Sequence, residues 1–251
     1  MRPDASKKLA AAAPKQGPNA AVIGAVIAAV IVVGVVVAIM IGGNTKGTSA
    51  GGSGSSAPPA GVIGGKGGGI FVNAATAKSN APTLDLWEDF QCPGCAQLEG
   101  SIGARLASMS KAGEVKLVVH VLSFLDRKVG NDSSAKAANA AACASDAGKF
   151  LEYHAAVFAA QPAREGAGYT DAQLTDFAKT SGITSAALTT WQKCTSAGQY
   201  AKYVTSVQDS MAGAKIEGTP TVKVNGQDIS PTPEKPLTPE GLAAVVKAAT
   251  K

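Results

Sequence analysis

Residues Ala20 to Ile41 form 22 consecutive positions without a charged or strongly polar side chain. As a helix at about 1.5 Å rise per residue the run spans roughly 33 Å, enough for a hydrocarbon core of about 30 Å. Soluble cores seldom supply an apolar run of this length, so a membrane helix over 20–41 is expected. A cleaved signal peptide fits less well. Its apolar region is about 7–15 residues and ends in a small-x-small site, whereas this run is longer and ends in Ile39-Met40-Ile41. No Cys follows it as a lipidation site, and an uncleaved signal-anchor is the preferred reading. Arg2, Lys7, Lys8 and Lys15 precede the run against one acid, Asp4, and only Lys46 follows within twenty residues. The positive-inside rule then keeps residues 1–19 in the cytoplasm and places everything after Gly42 outside the cell membrane, crossed once.

Whatever folds in water therefore lies downstream. Residues 42–69 are almost entirely Gly, Ser, Ala, Thr, Pro and Lys. Such a stretch buries too little apolar area to order itself and reads as a flexible tether. Roughly 25 such residues have an r.m.s. span of about 25–30 Å. Ala60 to Gly67 faintly resembles a phosphate loop, but it lacks the first Gly and the final Ser/Thr, and Pro58-Pro59 stand where a strand is needed. The net charge of +5 comes without a Lys/Arg block, which gives no case for nucleic acid. With 45% hydrophobic and 16% charged residues the chain is not disordered throughout, and at 5% aromatics its core is expected to be mainly Ala, Val, Leu and Ile.

The folded domain is expected over 70–251. Ile70–Val72 and Thr83–Phe90 read as strands. A helix follows from Cys92 or Gly94 to Ala112, because Cys95, Leu98, Ile102, Leu106 and Met109 step by three and four. Val115–Leu122 is a dense apolar run of the kind buried in parallel sheets, completing a right-handed βαβ unit. A long Ala-rich helical stretch occupies about 133–213, with capping signals at Thr170/Gln173 and Thr184. Thr221–Ile229 reads as a hairpin turning at Asn225-Gly226, and Thr238-Pro239 opens a last helix. The expected fold is a three-layer α/β core with a helical insertion.

Chemistry concentrates at Cys92-Pro93-Gly94-Cys95, where a strand gives way to a helix. Helix N-termini present unpaired N–H groups and a positive dipole end, which favour a thiolate at Cys92. Cys95, one turn in, can resolve a mixed disulfide. A structural zinc site needs four ligands, usually with a second close pair, but Cys143 and Cys194 are 51 residues apart and the two His are remote, so no metal is expected. A Cys–His hydrolase is weighed through His120 and His154. His120 falls inside a strand, and His154 reads as a helix-surface or packed residue beside Tyr153 and Phe158. A purely structural Cys92–Cys95 bridge removes little chain entropy.

Asp89-Phe90-Gln91-Cys92-Pro93-Gly94-Cys95 resembles the D-F/Y-Q-C-P-x-C signature of DsbA-like thioredoxin-fold proteins. Gly218-Thr219-Pro220-Thr221 resembles the family's cis-proline segment. Ala137 to Cys143 and Phe150 to His154 resemble its helical insertion, and membrane-anchored actinobacterial members have a second Cys pair there. The resemblance spans about Ile70 to Ala249. It implies a thiol–disulfide oxidoreductase without cofactors, in which Cys92 is the exposed nucleophile and Cys95 the buried partner. Pro220, cis to Thr219, would pack beside Cys92, and the Thr219 backbone would hold an extended substrate. The implied partners are exported protein thiols and a membrane redox partner of the DsbB or vitamin K epoxide reductase-like kind. Relatives often carry an acid six residues before the first Cys; here that position is Leu86, and Glu88, on the same strand face, is the possible proton-transfer acid. Oxidising relatives often place a His in the dipeptide, where this chain has Pro93-Gly94, so a Cys92 pKa lowered less than in the strongest oxidants is expected. A structural disulfide between Cys143 and Cys194 is expected in an oxidising compartment, against the alternative of two buried free thiols.

Overall fold

A computed structural model describes residues 57–250. The expected cytoplasmic tail, the 20–41 span and the tether as far as residue 56 lie outside the described residues. Among the described residues, no helix is long and apolar enough to cross a membrane.

Five strands form one mixed sheet in the order β1-β3-β2-β4-β5. They are β1 (Ile70–Phe71), β2 (Thr83–Asp89), β3 (Lys116–Leu122), β4 (Thr221–Val224) and β5 (Gln227–Asp228). The central pair, β2 and β3, is parallel, from Thr83↔Lys116 to Asp89↔Leu122. β1 and β4 join the pair antiparallel on either side. Helix α1 (Pro93–Lys111) links β2 to β3. Asn225 and Gly226, both at positive φ, turn β4 into β5, the geometry that a two-residue hairpin loop demands.

Strand period decides the layers. Leu84 and Leu86 on β2 and Leu117, Val119 and Val121 on β3 share a core with Ile102 and Leu106 of α1 and with Leu242 and Val246 of α8 (Pro239–Ala249). The alternate residues Trp87 and Leu122 pack on the other face with Val207 and Ile216. Val207 belongs to α7 (Ala201–Ser210). The Thr238 hydroxyl oxygen opens α8 by accepting from the Gly241 N–H at 3.0 Å.

Between β3 and β4 lie α2 (Leu125–Val129), α3 (Ser133–Asp146), α4 (Phe150–Ala159), α5 (Asp171–Thr180), α6 (Ser185–Ser196) and α7. The capping box at Thr170 and Gln173 is formed, whereas Thr184 makes no side-chain cap. In α3, Ala137, Ala138, Ala140, Ala141, Ala142 and Ala144 are all buried. Small side chains let neighbouring helices approach closely. The core is mainly Ala, Val, Leu and Ile, as expected, and the insertion adds the buried aromatics Phe150, Tyr153, Phe158 and Trp191.

The tether expectation is corrected for residues 57–69. Val62 bridges Ile70, the Ala60 N–H donates to Asp146 at 2.9 Å, the Tyr203 hydroxyl donates to the Gly68 carbonyl at 3.0 Å, and Ser210 donates to the Gly67 carbonyl at 3.1 Å. A Cβ on Gly69 would come within 2.6 Å of Val118 and 2.7 Å of His120. The stretch orders itself through main-chain hydrogen bonds and close backbone approach, which an argument from apolar area does not capture. The faint phosphate-loop lookalike from Ala60 to Gly67, discounted above, is part of this strap.

Candidate active site

Asp89 and Gln91 anchor the segment that presents the cysteines. The Asp89 carboxylate, fully buried at the end of β2, accepts from the Gln91 N–H at 2.9 Å, the Leu125 N–H at 3.1 Å and the Ser134 hydroxyl. Burial pushes its carboxyl up to about 6, against the lowering pull of these donors. The Gln91 side-chain amide donates to Asp126 at 2.9 Å and Ser134 at 2.9 Å, and its oxygen accepts from Asn131 at 3.1 Å. Asp126 also accepts from the Ser134 and Ala135 N–H groups at the start of α3. The Phe90 carbonyl accepts from Gln161 at 2.8 Å and the Tyr169 hydroxyl at 2.8 Å, and Gln161 also reaches the Cys92 carbonyl at 3.0 Å. The strand-to-helix junction is thereby tied to the insertion by side chains from four separate segments.

Cys92 is the N-cap of α1, with extended φ −78° and ψ 117°, and Pro93 occupies the first turn. Its sulfur lies 3.5 Å from the Thr219 carbonyl oxygen, and the Thr219–Pro220 peptide bond is cis. A Cβ on Gly94 would come within 3.3 Å of the Pro220 ring, so the bare dipeptide position permits this approach. The expectation of an exposed Cys92 needs correction: only 8% of its surface is exposed, because the Thr219–Pro220 loop covers it.

The Cys92 thiol is lowered to about 6. The largest cause is a hydrogen bond from the Cys95 thiol; burial opposes it, and the Thr219 side chain and the Cys95 and Gly94 N–H groups assist. The helix N-terminus thus contributes, but the neighbouring thiol contributes more. Cys95 is fully buried, and its thiol is pushed well up by burial, then by its bond to Cys92, then by the charge of Glu88.

Glu88 lies on the α1 face of β2, in the company of Leu86, and is fully buried. Burial pushes its carboxyl well up, and the Cys92 charge adds to this. Glu88 Oε2 and His154 Nε2 are 2.8 Å apart. Glu99 Oε2 lies 3.9 Å from His154 Nδ1, and burial, then Glu88, raises the Glu99 carboxyl to about 7. Ligand-type atoms of Glu88, Glu99 and His154 all fall within 4.8 Å of one another. His154 is thus a packed residue, and burial lowers its pKa. His120 sits on the opposite sheet face, stacked on Trp87 at 3.7 Å, with Nε2 3.2 Å from Asp85. That removes it from any Cys–His pairing with Cys92.

Cys143 on α3 and Cys194 on α6 are disulfide-bonded, with Cα atoms 6.0 Å apart. Their sulfurs lie inside the insertion core.

Sequence reading missed Gln161, Tyr169 and the anchoring roles of Asp89 and Gln91. It also missed Glu99, although Cys92, Cys95 and Glu99 follow helical spacing and so share a face. Nothing in the local sequence marks Gln161, which acts from 69 residues away on the Cys92 carbonyl.

A family model described as thioredoxin matches residues 75–248. The serine/threonine-protein kinase PknE of Mycobacterium tuberculosis is 26% identical over 174 residues, which is 64% of this chain and 30% of the kinase. The chain thus spans under a third of that relative's length. Oxidised DsbA from Mycobacterium tuberculosis superposes with a TM-score of 0.57 at 26% identity, over 70% of this chain and 91% of that one. Reduced DsbG from the same organism gives 0.57 at 26% identity, over 69% and 85%. The chain belongs to the thioredoxin family and carries the fold of the DsbA-like thiol–disulfide oxidoreductases.

Proposed function

We propose that this protein is an extracytoplasmic thiol–disulfide oxidoreductase, held at the membrane by residues 20–41, that oxidises exported proteins. The observation that carries the reading is a low-pKa thiol, about 6, on Cys92, facing the Thr219 carbonyl and backed by a buried Cys95. A substrate thiolate attacks the Cys92 sulfur of the Cys92–Cys95 disulfide, and Cys95 leaves with the electron pair. Cys95, buried, then takes up a proton, for which the buried Glu88 carboxyl, whose charge raises the Cys95 thiol, is the donor. The substrate peptide pairs with the Thr219 backbone beside Pro220 as an added strand. A second substrate thiolate resolves the mixed disulfide, and Cys92 departs as its stabilised thiolate.

A membrane partner of the DsbB or vitamin K epoxide reductase-like kind then takes the two electrons. Tethering at one surface raises the effective concentration of enzyme, substrate and partner. The Cys143–Cys194 bond serves structure and takes no part in exchange. A reductase or isomerase of the same fold is the second reading, favoured by a Cys92 thiol nearer the thioredoxin value of about 7 than the DsbA value of about 3.5. The Cys92–Cys95 potential in glutathione buffers decides between them. A value near the −120 mV of DsbA supports the oxidase, and one near about −270 mV the reductase. A Cys95→Ala variant that accumulates no mixed disulfide with exported proteins would sink both in favour of a non-catalytic binding module.

A further inference from the structure

Behind the cysteine pair, three ionisable side chains share one apolar enclosure. The His154 ring is bounded by Phe90, Phe150 and Phe158, with ring centroids 5.6, 5.8 and 4.9 Å away. Its polar neighbours are Glu88, 2.8 Å from Nε2, and Glu99, 3.9 Å from Nδ1. Two carboxyls and one imidazole in such surroundings hold shared protons, because a buried surplus of negative charge is costly. Glu88 Oε1, Glu99 Oε1 and His154 Nδ1 find no hydrogen-bond partner among the described residues. The cluster therefore has vacant proton-accepting capacity.

The three groups are graded in depth. The side chains of Glu88 and His154 are 1% and 2% exposed, and that of Glu99 is 10% exposed. Gly103, one turn beyond Glu99 on α1, leaves room for this: a Cβ there would lie 2.7 Å from Glu99 Oε2. The two carboxyls address different ring nitrogens. The three groups form a compact cluster, with ligand-type atoms within 4.8 Å of one another and Glu99 at its more exposed side.

We propose that Glu88, His154 and Glu99 form a proton relay that connects the buried Cys95 thiol to solvent. The proposal rests on the exchange chemistry above and extends it. The charged and titratable groups facing the cluster are Cys92, Cys95 and Glu99 from α1, Glu88 from β2 and His154 from α4. When Cys95 leaves as a thiolate, the Glu88 carboxyl gives it a proton. Glu88 recovers one from His154 Nε2 as Nδ1 accepts one from Glu99 through a water bridging their 3.9 Å separation, and Glu99 is reloaded from solvent. When the pair is reoxidised, each transfer reverses and the proton leaves through Glu99. Glu88 is the group whose charge reaches the reacting thiol, and His154 and Glu99 act through it.

The test is stopped-flow reduction of the oxidised full chain by dithiothreitol across pH, in water and in deuterium oxide. Glu88→Gln, His154→Gln and Glu99→Gln are compared with the unaltered protein, and Cys92 alkylation by iodoacetamide is the control. Glu99→Gln, near the surface, keeps the test open where His154→Gln destabilises the fold. Reduction is expected to slow about 100-fold in Glu88→Gln and about 10-fold in Glu99→Gln, in the range of positioned proton transfer and below it. Both variants should lose the rate inflection near pH 7 and the solvent isotope effect, with alkylation of Cys92 unchanged in Glu99→Gln and Glu99→Asp restoring much of the rate. A Glu99→Gln protein with the unaltered rate, pH profile and isotope effect overturns the relay, whatever Glu88→Gln does. Failure of the exchange reading is separate: the unaltered protein would then not react with dithiothreitol through Cys92.

Discussion

The two cysteine pairs hold the same atoms in opposite roles. Cys92 and Cys95 are three residues apart, free, and placed at a helix start against the Thr219 carbonyl. Cys143 and Cys194 are 51 residues apart, bonded, and enclosed between two insertion helices. The first pair closes so small a ring that its bond adds little to stability, and its environment separates the two thiols, lowering Cys92 and raising Cys95. The second pair closes a long loop inside the insertion core. Reactivity thus follows from the surroundings of the sulfur and stability from the length of chain it closes.

The sharpest way to break the comparison is to remove one sulfur from the reactive pair. Cys92→Ser should abolish exchange with a dithiol peptide while leaving thermal unfolding below about pH 6, where the thiolate contributes nothing, nearly unchanged. Residual turnover in that variant would mean that the other pair carries electrons. The reverse experiment, Cys143→Ala with Cys194→Ala, should leave the exchange rate intact. In the chain-entropy model for a separation of 51 residues it should lower unfolding free energy by about 4 kcal/mol, read by urea titration. Loss of activity in the folded double variant would merge the two roles.

A pH titration probes the asymmetry inside the reactive pair. Thiolate absorbance of the reduced protein should rise with a midpoint of about 6, far below the ordinary value of 9.0. A thiol lowered in the folded state stabilises the reduced protein fully above about 9, and that gain is lost as pH falls through about 6. Unfolding of reduced and oxidised protein should therefore diverge between those limits, and parallel curves would contradict a lowered Cys92. The smallest effect is expected from Thr219→Val. It removes a hydroxyl that helps to lower Cys92, so the absorbance midpoint should move up from about 6 and stay below 9.0. No movement would assign the lowering to Cys95 and the main-chain N–H groups alone.

Much of the scaffold around these sulfurs was legible in the residues. Helical spacing from Cys95 to Met109 and the dense apolar run into Leu122, broken only by Lys116 and His120, produced α1 and β3 within a residue or two. Asn225-Gly226 produced the hairpin, and Thr170 with Gln173 the capping box. These signals are local, arising from period and turn chemistry over a few residues. The strap over 57–69 was read as a free tether because composition reports apolar area and not main-chain pairing. The near-burial of Cys92 escaped notice for another reason: the loop that covers it is 127 residues away in the chain.

The sequence alone determined the βαβ core, the position of Cys92 at a helix start, and the chemical alphabet of the site, because each depends on neighbours within a turn or two. Only the tertiary structure decided which of two histidines lies against the buried Glu88. Strand and helix placement of His120 and His154 was readable along the chain, but strand alternation is what puts His120 against Trp87 on the far face. Helix packing brings His154 to Glu88 across 66 residues. The physical reason is that a side chain's pKa and partners are set by the dielectric and the charges within a few ångströms, and for a buried group those belong to other segments of the fold.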